Sequence, residues 1–174
     1  WRDGRLTGLN ASGRAPAGIE ADRLIAAGEI GFNGWDPVTV PGAVSGWVAL
    51  VREHGRRPFA EHFEAAITYA REGFAVSPQT AAGWRRAGAR WPREQHPAFH
   101  ETFLPGGQGP ATGATVRLPD HARTLEAIAA SEGEAFYRGD LAAAMDRAAR
   151  QAGAALRASD LAGLLARAGV RVSL

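Results

Sequence analysis

Cysteine is absent from the 174-residue sequence. That excludes disulfides and thiolate metal sites and leaves the redox compartment open. Lysine is absent too: all 20 basic residues are arginine, against 18 acidic residues, for a net charge of +2. The isoelectric point near 9.9 therefore reflects how firmly arginine holds its proton, not a large basic excess. No apolar run is long enough to cross a bilayer, and nothing after Trp1 reads as a signal peptide. Trp1 is an unusual first residue and points to a fragment or a processed chain, so localisation stays open between periplasmic or secreted and cytoplasmic. Also missing are a carboxylate pair on an apolar face, a Gly-x-Ser-x-Gly elbow and a phosphate-binding loop. No cofactor, metal, nucleic acid or membrane is expected as a partner.

The 45% hydrophobic fraction argues against disorder, and the length suits one domain with a real core. Three segments are expected. Residues 1–42 are rich in Gly and Pro and read as irregular, with Arg2-Asp3-Gly4-Arg5-Leu6 as a turn feeding a strand edge. Residues 43–168 read as helical, interrupted by a long loop at 92–119 that holds Pro92, Pro97, Pro105, Pro110 and Pro119. Residues 169–174 alternate like the start of a strand with no evident partner. The fold class is mainly α.

The helical segment carries its own punctuation. A first helix over residues 43–54 bears Trp47, Val48, Leu50 and Val51 and stops at Gly55. In the second, Pro58 occupies the first turn, where its missing N–H has no partner to lose. Phe59, Phe63, Ala66, Ile67 and Ala70 make one apolar stripe, Arg71 suits the negative helix end, and Gly73 closes it. Phe74 and Val76 are expected to fold back onto that stripe, and Ser77-Pro78 caps and opens a third helix over residues 78–91. Asp120 is expected to cap a fourth, with Leu125, Ile128 and Ala129 inward, followed by a short turn at 134–138. Asp140 caps a fifth, with Leu141, Ala144, Met145, Ala148 and Ala152 inward and Gly153 at its end. Ser159 caps a last short helix through Leu161, Leu164 and Leu165. These signals alone describe amphipathic helical hairpins.

Three local clusters invite chemistry. Arg85, Arg86, Arg90 and Arg93 interleave with Trp84 and Trp91, which would suit stacking on bases; a solvated helix face with inward tryptophans explains it as well. His96 and His100 have ligand spacing, but Pro97 lies between them and no third ligand is evident beside Glu94 and Glu101. Gly106-Gly107 has two N–H groups to offer an oxyanion, or is simply a turn.

Several blocks, in order, resemble the gamma-glutamyltransferase (gamma-glutamyltranspeptidase) family. The stretch Arg57-Pro58-Phe59-Ala60-Glu61-His62-Phe63 through Gly73-Phe74-Ala75-Val76-Ser77-Pro78 is similar to a passage in the first part of the precursor. Before it, Val40-Pro41-Gly42-Ala43-Val44-Ser45-Gly46-Trp47 resembles the family's Val-Pro-Gly-x-Val-x-Gly-Trp. After it, Gly113 through Ile128 resembles Gly-x-x-x-x-x-Pro-x-Leu-Ala-x-Thr-Leu-x-x-Ile. Phe136-Tyr137-Arg138-Gly139 resembles Phe-Tyr-x-Gly, and Asp160-Leu161-Ala162 resembles Asp-Leu-Ala. Upstream, Asn10-Ala11-Ser12-Gly13-Arg14-Ala15-Pro16 resembles the block that ends in Ala-Pro.

The resemblance implies an N-terminal-nucleophile hydrolase: two stacked sheets between helical layers, with this chain supplying helical layer of the αββα architecture. It implies a precursor that cleaves itself into a large and a small chain, the new N-terminal threonine of the small chain attacking the gamma-glutamyl amide of glutathione or a related donor, with its own α-amine as base. This chain would be a large-chain segment whose partner is the small, catalytic chain. No catalytic residue is expected here, and the chain alone is expected to be inactive. Donor-binding candidates are Ser12 and Arg14. The family's carboxylate-gripping arginine precedes the Ala of Ala-Pro by three residues; Ser12 stands there instead, and a hydroxyl does not replace a charge-assisted fork. Either Arg14 takes over, or the donor is not a true gamma-glutamyl compound, as in acylases of glutaryl-type amides. A helical binding module without a catalytic partner is the reading from another class, and there Ser12 and Arg14 are an ordinary turn. The isolated chain, deprived of its sheets, is expected to associate through exposed inner helix faces; light scattering at micromolar concentration should find a dimer or larger.

Overall fold

The computed structural model describes residues 4, 6–165 and 170–173. In chain order its elements are β1 (Thr7–Asn10), α1 (Ala21–Ala27), α2 (Ala43–His54), a 3-10 turn at Phe59–Phe63 that leads into α3 (Glu64–Glu72), β2 (Phe74–Ala75), α4 (Pro78–Arg90) and α5 (Pro97–Phe103). A second 3-10 turn at Pro105–Gly107, β3 (Thr115–Val116), α6 (Pro119–Ser131), α7 (Glu134–Tyr137), α8 (Asp140–Gln151), α9 (Ala158–Leu165) and β4 (Val170–Ser173) complete the order. The chain is mainly helical. It divides into two compact units, residues 1–63 with 126–174, and residues 64–125.

In the first unit β1 pairs antiparallel with β4, Thr7 opposite Ser173 and Asn10 opposite Val170. The strand expected at 169–174 thus has a partner; Gly169 and Leu174 lie outside the described residues, as do residues 166–168. Of the turn expected at residues 2–6, Arg2, Asp3 and Arg5 lie outside them, while Gly4 is a turn. Among the described residues of 1–42 one helix forms, α1, which buries none of its side chains. The core of the unit takes Val40, Val44, Val48, Phe59, Phe63, Ile128, Tyr137, Leu156 and Leu161. On α2 the inward residues are Val44, Gly46 and Val48, four apart at the ends, while Leu50 and Trp47 are largely exposed. Trp47 still meets the Phe63 ring edge-on at 5.9 Å.

The inward face of α8 differs from the sequence expectation. Ala142 and Ala149 are buried, with Met145 half-buried between them, and Ala144, Ala148 and Ala152 are exposed. Leu141 and Met145, four apart and both half-buried, mark the inner side by size, and the alanines around them do not show which flank is covered. At the start of the helix the main chain runs close: a Cβ on Gly139 would meet the Ala135 Cα at 2.8 Å. Gly139, not Asp140, is the N-cap, and Gly153 closes the helix at φ 66°. The cap of α9 also differs. Ser159 is exposed and Asp160 reaches back to the Arg157 N–H at 3.0 Å, the reciprocal half of a capping box.

In the second unit, Gly73 takes φ 108° at the end of α3, and the Ser77 hydroxyl accepts from the Thr80 N–H at 3.2 Å with Pro78 at the first helical position. Phe74 is half-buried and Val76 buried. The main chain of Phe74 also enters a two-rung antiparallel ladder with Val116. On α3 only Ala70 is buried; Ile67 is half-buried and Ala66 exposed. Asp120 is not the cap of α6, which starts at Pro119; it sits in the first turn and meets Arg123, where its charge suits the positive helix end.

The segment 92–119, expected as loop, contains α5. Its aromatic residues pack in a row: Trp84 to Phe103 at 5.0 Å, Phe103 to Phe99 at 5.3 Å, and Phe99 to Trp91 at 5.5 Å. This row absorbs both tryptophans of the arginine cluster. Gly88 faces Leu104, which is 2% exposed, and a side chain there would overlap it.

Candidate functional site

Residues 11–17 follow β1 as an ordered loop without regular structure. An Asx turn starts it: the Ser12 N–H donates to Asn10 Oδ1 at 2.9 Å. The loop then lies directly against residues 40–46. A Cβ on Gly13 would overlap the Val40 carbonyl oxygen, one on Gly42 would overlap the Ala11 carbonyl oxygen, and one on Gly46 would stand 2.6 Å from the Ala11 Cβ. The glycines of the two blocks are there because main chain presses on main chain. The Val40 N–H donates to the Arg14 carbonyl at 2.9 Å and fixes the crossing.

Two buried side chains lock this contact from behind. The Tyr137 hydroxyl donates to the Pro41 carbonyl at 2.8 Å and accepts from the Ser45 N–H at 3.0 Å, with the ring fully buried. It satisfies an N–H in the first turn of α2, where no helical carbonyl is available. The Asp160 carboxylate is 3% exposed. One oxygen accepts from the Ala17 N–H and the other from the Arg157 N–H, each at 3.0 Å. Pro16 between these anchors is buried. Four blocks that read as separate motifs in the sequence therefore meet around one loop.

Ser12 and Arg14 are both exposed on that loop. Arg14 has its main chain held, and its guanidinium has no hydrogen-bond or ion-pair partner among the described residues. A Cβ on Gly163 of α9 would meet Arg14 Nη2 at 3.0 Å. The sequence pattern singled out Arg14 and Ser12; for Tyr137 and Asp160 beside them the only signal was their place in the Phe-Tyr and Asp-Leu-Ala blocks, and Gly163 had none.

A cleft of about 590 Å³ in the same unit is lined by Glu20, Arg23, Asn33, Asp36, Gly153 and Arg157, among others. Arg23 and Asp36 form a bidentate pair across it at 2.5 and 3.1 Å. The hydrogen bond from Arg23 holds the Asp36 carboxyl below its usual range, and the same bond raises the Arg23 guanidinium. Both groups face solvent, so this pair adds little to stability.

The remaining sequence candidates lie in the second unit. His100 is buried and its Nε2–H donates to the Trp91 carbonyl at 2.7 Å, while His96 stands at the N-cap position of α5 without a side-chain capping bond. Among the described residues no group of three or more His, Asp or Glu is arranged to hold a metal ion. Gly106 and Gly107 adopt φ 81° and 85°, and the Gly107 N–H is spent on the Leu104 carbonyl at 2.8 Å. That pair is a turn in this chain.

A family model described as gamma-glutamyltranspeptidase matches residues 1–173. The chain belongs to that family. Among solved structures it is similar to a cephalosporin acylase from Bacillus halodurans, with TM-score 0.88 and 37% identity over 99% of this chain and 33% of that one. Among relatives, it is 36% identical to the acylase ACY 1 proenzyme of Pseudomonas sp. (strain V22) over 62% of this chain and 19% of that protein. It is 33% identical to human glutathione hydrolase 7 over 71% of this chain and 18% of that protein. The gamma-glutamyltranspeptidase-family chain described here thus spans about a fifth of the length of these two relatives. Members of the family are enzymes made of a large and a small chain drawn from one precursor.

Proposed function

We propose that this chain is the large-chain portion of an amide acyltransferase or amidohydrolase that presents Arg14 to a carboxylate on the donor's acyl group. The carrying observation is a guanidinium without a partner among the described residues, on a loop whose backbone is clamped on both sides. A planar guanidinium fork is suited to a carboxylate, and a backbone held in advance lowers the entropy lost on binding. In this reading an N-terminal threonine on the small chain attacks the donor amide, the amine leaves with the proton taken by the threonine's α-amine, and water or an acceptor amine then releases the acyl group. Arg14 does the work that the family's arginine does from the position of Ser12.

Both gamma-glutamyl and glutaryl groups end in such a carboxylate; they differ in the α-amino group. The acylases among the relatives favour tolerance of the glutaryl donor. The complete processed enzyme should be assayed with gamma-glutamyl-anilide, glutaryl-anilide and an uncharged pentanoyl-anilide. Arg14→Ala is expected to raise KM for the first two by about tenfold to a hundredfold, the usual worth of a hydrogen bond to a charged partner, and to leave the third unchanged. An equal effect on all three donors would remove Arg14 from recognition. Glutaryl-anilide turning over at least as fast as gamma-glutamyl-anilide would assign the acylase branch.

A further inference from the structure

The Asp-Leu-Ala block has no part in the chemistry outlined above, yet its aspartate is buried and spends both carboxylate oxygens on main-chain N–H groups. Its bonds join Ala17, three residues after Arg14, to the first turn of α9. The intervening Ala15-Pro16 is a short span stiffened by the fixed φ of proline. An anchor at Ala17 is therefore transmitted to Arg14. One helical turn beyond Asp160, Gly163 leaves room for the Arg14 guanidinium, whose Nη2 stands 3.0 Å from where a Cβ would be. Asp160 and Gly163 are three apart, on neighbouring positions of one helix face. The nearby Arg157 does not neutralise the aspartate; its guanidinium donates to the Ala154 and Leu156 carbonyls at 2.5 and 2.8 Å.

We propose that α9 is the positioning element for Arg14, Asp160 holding the loop and Gly163 making space for the guanidinium. This rests on the reading of Arg14 as the donor-binding group. Without Asp160 the loop keeps its Val40 anchor but loses the second fixed point, and the guanidinium no longer has one direction. Misplacing a binding group by an ångström is enough to weaken its use by orders of magnitude.

The test compares Asp160→Asn, Gly163→Ala and Arg14→Ala in the complete processed enzyme, with glutaryl-anilide against pentanoyl-anilide. Asp160→Asn is expected to raise KM for the glutaryl donor about tenfold, with kcat within twofold and the uncharged donor unaffected. Gly163→Ala leaves both bonds of Asp160 in place and favours the helix. It is expected to lower the same selectivity about threefold without lowering Tm, a result that a purely structural role for α9 would not give. If Asp160→Asn is not recovered folded, Gly163→Ala carries the test alone. Unchanged selectivity in both variants, while Arg14→Ala has lost it, overturns the positioning role; so does a loss shared equally by both donors. Unchanged selectivity in Arg14→Ala itself overturns the donor reading first, and this proposal with it.

Discussion

Replacing Gly13 by alanine is expected to destabilise the first unit by about 3 kcal/mol or more, the upper end of what overpacked sites cost. The added Cβ would overlap the Val40 carbonyl oxygen. That oxygen belongs to the backbone, so no side chain can rotate away to make room. The Val40 to Arg14 hydrogen bond would have to break as the two strands of chain separate. In a chain of this size such a loss lowers Tm by roughly 6–12 °C. Gly28→Ala is the matched control. Gly28 has φ 81° but nothing within 4 Å of its missing Cβ, so alanine there costs only the left-handed conformation, about 1–2 kcal/mol. Chemical denaturation of both variants decides the matter. If Gly13→Ala is no less stable than Gly28→Ala, the close crossing of residues 11–14 over residues 40–46 is not a native constraint.

The second large effect belongs to Tyr137. Tyr137→Phe keeps the ring and removes the hydroxyl, leaving the Pro41 carbonyl and the Ser45 N–H without their partner in the interior; about 1–3 kcal/mol should be lost. Tyr137→Ala adds the cavity of a fully buried ring, for about 3–5 kcal/mol in all. The order alanine below phenylalanine below wild type, with a clear step at each change, is the expected denaturation series. A phenylalanine variant indistinguishable from wild type would mean that the bridge between α7 and the start of α2 carries no weight. Gly133, at φ 86° and with its absent Cβ 3.0 Å from Val44, keeps α7 at the distance this bridge needs.

What the sequence made legible was local. Ser77-Pro78, Gly73 and Gly55 mark helix ends because a cap or a closing residue acts within one turn of its own position, and the structure has helix ends at each. What it concealed was anything decided at a distance. α5 went unseen because Pro97 reads as a breaker unless it is known to be the first residue of a helix, and because its stability comes from the rings of Trp84 and Trp91 rather than from helix-favouring residues. On α8, Leu141 and Met145 marked the inner side, but which of the alanines joined them could not be read from residues of one size. The β1–β4 pairing leaves no mark in either strand. The same holds for the candidate site. Ser12 and Arg14 stood out only through the family pattern, while Asp160 and Tyr137 bond to main-chain atoms of Ala17, Pro41 and Ser45, which any residue offers.

The ladder between β1 and β4 also sets an order of events during synthesis. Asn10 pairs with Val170, so β1 leaves the ribosome long before its partner exists. At about 5–20 residues per second the wait is roughly 10–30 s. Asp160 emerges nearly as late, and until it does the Ala17 N–H has only water to bond. The corner that carries Arg14 is thus made well before the aspartate that fixes it, 143 residues further along the chain from Ala17. A translation product cut short before α9 would hold every element of the 64–125 unit and still lack that corner.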